Sequence, residues 1–95
     1  MTKTETLRRG LLAHGAKPIR ASPTAKHETY RLMLPVRRMV SPGVYSEGFA
    51  PYLMFLGRAG SLRMVRDGSK HDESMTAPDS LKKMLIAKGE ANEHS

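Results

Sequence analysis

The residues best suited to chemistry in this chain are its arginines, and all nine of them lie before Asp67. The planar guanidinium group matches a phosphate or a carboxylate through two parallel hydrogen bonds, whereas lysine offers a point charge. Six arginines fall on predicted strands or on a predicted turn. They are the candidate contacts to nucleic acid or to an acidic protein partner: Arg31, Arg37, Arg38, Arg58, Arg63 and Arg66. The alternative is that these side chains are solvated and serve solubility alone.

His27 is the candidate catalytic residue. It stands at the start of a predicted strand, between Arg20 and Arg31 in the sequence. A histidine flanked by cations can act as a general acid or base on a phosphodiester. The alternative is a surface histidine on the polar face of an amphipathic strand.

The residue types of the chain exclude several other classes of site. It has no cysteine, which excludes disulfides, thiol nucleophiles and cysteine-ligated zinc or iron–sulfur centres. The chain has four histidines, which are His14, His27, His71 and His94. Their spacing is not that of metal ligands, so no metal and no cofactor are predicted. The sequence has neither a run of about 18 apolar residues nor a signal peptide. We therefore expect a cytoplasmic protein without a membrane partner.

The net charge of +7 is unevenly distributed. Residues 1–66 hold 12 basic residues against three acids, whereas residues 67–95 hold four lysines against six acids. A basic, arginine-rich region followed by a slightly acidic one is typical of proteins that bind polyanions.

Two helices are predicted, one before and one after the six candidate arginines in the sequence. They span residues 3–14 and the segment from Thr76 to Gly89, and a frayed tail follows over residues 90–95. Thr2 and Glu5 form a capping-box pattern at the first helix start, and Thr76 is placed to cap the second. Gly89 is placed to end the second helix.

Strands occupy the region between the helices. Alternating apolar and polar residues predict strands over residues 26–34 and 36–40, an apolar run predicts a buried strand over 52–56, and a shorter strand is a candidate over 19–21. Pro35 separates the first two strands. Gly48 and Pro51 predict an irregular exposed loop over residues 44–51. The turn at residues 57–60 joins the buried strand to a hairpin partner over residues 61–66, with Arg58 projecting from its tip.

This order of elements predicts an α+β fold, with an N-terminal helix, a three- to four-stranded antiparallel sheet and a C-terminal helix. We expect a single domain over residues 1–89. A chain of 95 residues has a small core, and exposed strand edges invite pairing, so the sequence is compatible with a homodimer.

The hairpin and the segment after it resemble a pattern in small phage- and prophage-encoded proteins. The residues that carry the resemblance are 56–64, which read LGRAGSLRM, a serine at 69 or 74, and the helical segment 81–85. Met64 and Val65 replace the more usual small residue after the arginine. The resemblance implies a phage or mobile-element origin and a bacterial host cell, but no activity.

A second resemblance covers residues 11–27, which follow the order of a helix, a glycine, an arginine and a histidine found in the HicA family of toxin ribonucleases. Ala25 and Lys26 stand where that family has a glycine–serine pair. The resemblance implies catalysis by His27.

Three hypotheses of function follow. The first is a small non-enzymatic phage accessory protein that binds nucleic acid through the six arginines. The second is an inhibitor that binds an acidic surface on a host protein of a defence or transcription complex. The third is a HicA-like ribonuclease.

Overall fold

The computed structural model describes residues 2–19, 26–70 and 73–93. These residues form two helices and one five-stranded antiparallel sheet, which confirms the α+β prediction and adds at least one strand to it. The elements are α1 (Lys3–Ala13), β1 (Lys17–Ile19), β2 (His27–Ser41), β3 (Val44–Gly57), β4 (Leu62–Arg66), β5 (Met75–Thr76) and α2 (Asp79–Glu93). Among the described residues, neither helix has the length and apolar character needed to cross a membrane.

The start of the first helix is as predicted, whereas both ends of the second differ. The side chain of Thr2 accepts a hydrogen bond from the Glu5 N–H at 3.2 Å. Thr76 does not cap α2, because it pairs with Arg63 as part of β5. Gly89 does not end α2 either, since it is buried against α1, and residues 90–93 continue the helix.

The strands follow one another in the sheet in chain order, each antiparallel to the next. The hairpin of β2 and β3 is its longest feature, and Pro42 and Gly43 form the connecting turn. Gly43 has a φ of 77°, which suits the third residue of a type II turn after proline. The short strand predicted over residues 19–21 is β1, at residues 17–19, and the predicted turn at residues 22–25 lies outside the described residues.

Two sequence predictions in this hairpin are wrong. Pro35 does not end a strand, because β2 runs through it and pairs it with Phe49. Residues 44–51 are not a loop but the first half of β3. The carbonyl of Pro51 accepts a hydrogen bond from the Asp67 N–H at 3.0 Å, so the backbone groups of Pro51 face away from β2. By the alternation of antiparallel pairing, Pro35 also faces away from the β2–β3 ladder, and neither missing N–H interrupts it.

Both helices pack on one face of the sheet. Side chains from alternate positions of the three central strands meet Leu7 and Leu11 of α1 and Leu85 of α2 in one core. The strand residues of this core are Tyr30, Leu32, Leu34, Met54, Leu56, Leu62 and Met64. We call the opposite side of the sheet the open face, because no described helix covers it.

The hairpin of β2 and β3 extends beyond the two layers that the helices and the sheet form. β1 pairs with residues 29–31 of β2, and β4 pairs with residues 52–56 of β3. Beyond these pairs, residues 36–49 form a two-stranded ribbon in which residues 37–49 are all exposed. We call residues 36–49 the ribbon and the remainder the body.

Candidate nucleic-acid interface

Two of the six candidate arginines are held by the protein itself. Arg31 lies on the open face and forms an ion pair with Asp67, with 3.1 Å between Nε and Oδ2. Arg63 donates from Nη2 to the Ser74 carbonyl at 2.6 Å and from Nε to the Ser74 hydroxyl at 3.2 Å. These contacts link neighbouring segments of the body and engage part of each guanidinium group.

A third candidate is oriented without using up its charge. The guanidinium carbon of Arg37 lies 4.4 Å from the ring centroid of Tyr45, across the ribbon. This cation–π contact holds the side chain in place while leaving its N–H edges open to a further acceptor.

Three candidates converge at the base of the ribbon. Arg37, Arg38 and Arg66 line an open cavity of about 410 Å³. Arg38 and Arg66 are exposed, and their side chains form no hydrogen bond or ion pair with any described residue. The cavity is completed by Val36, Ser46, Glu47, Gly48 and Phe49. With three arginines against one glutamate among its lining residues, the cavity favours an anionic ligand.

Phe49 also lines this cavity, but its side chain lies on the open face, opposite the face that carries Arg38 and Arg66. It is 70% exposed, the largest exposed fraction among the described large hydrophobic residues. The ring therefore belongs to a separate, apolar surface of the ribbon. Sequence reasoning missed Phe49 because it assigned residues 44–51 to a loop. Tyr45, Glu47 and Phe49 stand at alternate positions on one side of β3. This two-residue period was the sequence signal that could have identified the strand.

Arg58 lies at the other end of β3, far from this cavity. It is exposed on the predicted turn, where the Gly60 N–H donates to the Gly57 carbonyl at 3.2 Å. The turn is docked on α1 through Thr4, whose hydroxyl lies 2.8 Å from the Arg58 carbonyl and accepts from the Gly60 N–H at 3.0 Å. The hairpin that projects from the body is therefore the ribbon, whereas the hairpin with Arg58 at its turn is anchored.

His27 lies beside Arg58 rather than beside the ribbon. It lines a second open cavity of about 400 Å³, which also includes Lys26. Its ring meets the edge of Phe55, with centroids 5.1 Å apart. Within the described part of the chain, no carboxylate or amide is bonded to the imidazole to orient it as a general base. These surroundings favour the interpretation of His27 as a surface histidine.

The acid nearest to His27 in the sequence is already engaged. Arg8 Nε and the Tyr30 hydroxyl donate to Glu28 Oε1 at 2.7 and 2.6 Å. The hydrogen bond from Arg8 is the largest cause that lowers the pKa of Glu28. Burial, followed by the hydrogen bond to Glu28, raises the pKa of Tyr30 to about 12. The three side chains form a closed network that ties α1 to β2.

His14 is the C-cap residue of α1. Its Nδ1 lies 2.6 Å from the Lys88 ammonium nitrogen. Burial, together with the charge of Lys88, lowers the pKa of His14. The neutral ring accepting from Lys88 is therefore the favoured state. Among residues 2–19, 26–70 and 73–93, no three histidine or acidic side chains converge on a metal site.

Comparison of the chain with protein-family models, with curated proteins and with solved structures finds no match. The resemblances to phage-encoded proteins and to the HicA family stay predictions. The argument for function therefore depends on the geometry of the site.

Proposed function

We propose that this protein is a small non-enzymatic accessory protein that binds nucleic acid through the ribbon and the cavity at its base. The observation that carries the proposal is that Arg37, Arg38 and Arg66 line one open cavity, in which the side chains of Arg38 and Arg66 are free of partners among the described residues. Arg38 and Arg66 contact phosphates, and the ring of Tyr45 holds the Arg37 side chain against β3. The net charge of +7 supports the same class of partner.

The shape of the ribbon supports the proposal as well. The ribbon projects from the body, and its face that carries Arg38 can lie along the sugar–phosphate backbone of a duplex or of a single strand. Phosphate contacts position such a protein without reading sequence. We therefore expect binding to tolerate changes in base sequence.

The test is fluorescence anisotropy with labelled duplex and single-stranded oligonucleotides of mixed sequence, titrated between about 50 and 200 mM salt. The wild type should bind at low salt and lose affinity steeply as salt rises. The double variant R38Q/R66Q should reduce the slope of log affinity against log salt by about 1.4 to 1.8, because each lost phosphate contact contributes about 0.7 to 0.9.

The matched control is R9Q/K83Q, which removes the same charge from exposed positions on α1 and α2. It should retain most of the affinity and the salt slope of the wild type. Absence of binding at low salt would refute the proposal. An equal loss in both double variants would show attraction to net charge alone, without a site.

A second candidate function is inhibition of a host protein with an acidic surface. It is favoured by Val40 and Val44 at the tip of the ribbon, which are 59% and 52% exposed. A pull-down from nuclease-treated lysate separates the two functions. A specific protein retained by the wild type but not by R38Q/R66Q supports inhibition, whereas loss of every partner on nuclease treatment contradicts it.

A further inference from the structure

The open face carries apolar side chains along most of the hairpin, interrupted on the ribbon by the pair of Arg37 and Glu47. Five large hydrophobic residues on it are between 39% and 70% exposed: Ile19, Met33, Met39, Tyr45 and Phe49. At about 200 Å² for a fully exposed side chain of this size, five residues at half exposure present roughly 500 Å². A patch of this extent lies at the upper end of what monomeric proteins expose.

Three arginines on this face have partners within the chain. Arg31 is paired with Asp67, and Arg63 is bonded to Ser74. Arg37 lies over a ring and opposite Glu47 in the strand register. Apolar side chains between partnered arginines suit a protein surface, whereas Arg38 and Arg66, whose side chains have no partner among the described residues, lie on the other side of the sheet.

We propose that the open face pairs with the open face of a second copy of this chain. Met33 stands midway along the face, six residues from His27 at the body end of β2 and six from Met39 on the ribbon. A two-fold axis beside Met33 places the ribbon of each copy over the body of the other. Each ribbon thereby gains the second layer that its own chain does not supply among the described residues.

The face is complementary to itself in this arrangement. Positions equally far from the axis meet, so the exposed ring of Phe49 lies over Leu53 of the second copy. Glu47 lies over Phe55 of the second copy, whose register partner is the cation Arg63. Unlike charges are brought together, and apolar side chains cover one another, as in aligned sheet packing.

The available area agrees with a dimer of moderate stability. The 13 residues from His27 to Met39 span about 43 Å, and two to four strands give a width of about 10 to 19 Å. Each copy would cover about 600 Å², which gives a total near the lower limit of standard protein–protein interfaces. We therefore expect dissociation in the micromolar range.

Light scattering coupled to size exclusion tests the proposal. At about 100 µM the wild type should have twice the chain mass of 10.5 kDa. Met33→Glu should give the monomer, and so should Phe49→Ser, which serves if the first variant is poorly folded by circular dichroism. Leu12→Glu is the matched control, since Leu12 is as exposed as Met33 but lies on α1, and it should remain dimeric.

A single thiol then locates the axis. The chain has no cysteine, so Met33→Cys introduces one reactive thiol per copy. Facing sheets pack about 10 Å apart, which is too far for a direct disulfide, so a short bismaleimide should link two copies through these thiols. Leu12→Cys at the same protein concentration should not be cross-linked. A monomeric wild type at 100 µM overturns the proposal. A dimer that survives both Met33→Glu and Phe49→Ser also overturns it, because the contact would then lie on another surface.

Discussion

Gly10 of α1 lies against the backbone carbonyl of Leu85 on α2, so close that a Cβ on Gly10 would collide with the carbonyl oxygen. Gly89 of α2 faces the Thr6 carbonyl of α1 in the same way. The two helices therefore cross at a reciprocal pair of glycines. Since both atoms met are backbone, a larger side chain could be accommodated only if the helices moved apart.

This contact predicts that Gly10→Ala destabilises the fold, although alanine is the better helix former by about 1 kcal/mol. Separation of the helices should outweigh that gain and lower the free energy of unfolding by about 1 to 3 kcal/mol. Urea denaturation monitored by circular dichroism measures the effect. Gly48→Ala is the control, because nothing lies within 4 Å of a Cβ there, and it should change stability by less than about 0.5 kcal/mol. An unchanged or raised stability of Gly10→Ala would contradict the close crossing.

The network of Arg8, Glu28 and Tyr30 predicts a specific loss of stability in acid. The pKa of Glu28 is lowered in the folded protein, so the unfolded chain binds the proton more readily. The contribution is complete above the ordinary carboxyl pKa of 4.5 and is lost as pH falls through the lower pKa of the folded state. Glu28→Gln should cost about 1 kcal/mol at pH 7, because the pair is partly exposed, and its stability should fall less between pH 5 and 3.

Urea titrations at several pH values check this prediction. Glu90→Gln, which removes an exposed carboxylate on α2, should behave as the wild type does across the same range. A wild type and a Glu28→Gln variant with parallel stability curves from pH 5 to 3 would mean that the network does not couple to folding.

The partners of Arg31 and Arg63 predict that these two arginines serve the body rather than binding. The double variant R31Q/R63Q should lose stability, by about 1 kcal/mol or less for each exposed pair. Its affinity for oligonucleotides should keep the salt slope of the wild type, because neither side chain lines the cavity with Arg38 and Arg66. Anisotropy titrations over the same salt range check this, and a slope reduced as far as in R38Q/R66Q would return both residues to the binding site.

The sequence predicted the fold class because its local signals agree with the tertiary structure in most elements. The Thr2 cap, the alternation after Lys26 and the apolar run at residues 52–56 each point to the element that forms. The failures occurred where tertiary context overrides local preference. Gly89 normally ends a helix, but here it allows two helices to touch. Pro35 and Pro51 normally end strands, but here their missing donors face away from the ladder.

The candidate site was predicted less well than the fold. Charge and predicted position on a strand or turn selected six arginines. Only the structure separates the two that are engaged in the body, the one on the anchored turn and the three at the cavity. The partners Asp67 and Ser74 are distant from Arg31 or Arg63 in the sequence, so spacing could not identify them. The ribbon could be identified only if residues 44–51 were assigned to a strand. Gly48 and Pro51 in that segment predicted a loop instead.

The ribbon itself provides the last prediction, because its side chains are exposed and outside the core. Residues 37–47 can be replaced by Asn-Gly, which closes a two-residue turn between the register partners Val36 and Gly48, whose backbone groups face each other by the same alternation that turns Pro35 away. At a concentration too low for dimers, the shortened chain should unfold in urea within about 1 kcal/mol of the wild type, since no buried side chain is removed. Its affinity for oligonucleotides should fall at least tenfold at low salt, because Arg37, Arg38 and the outer half of the cavity are gone. Anisotropy and urea titrations of the same preparation measure both quantities. A folded, shortened chain with undiminished affinity would place the binding surface on the body.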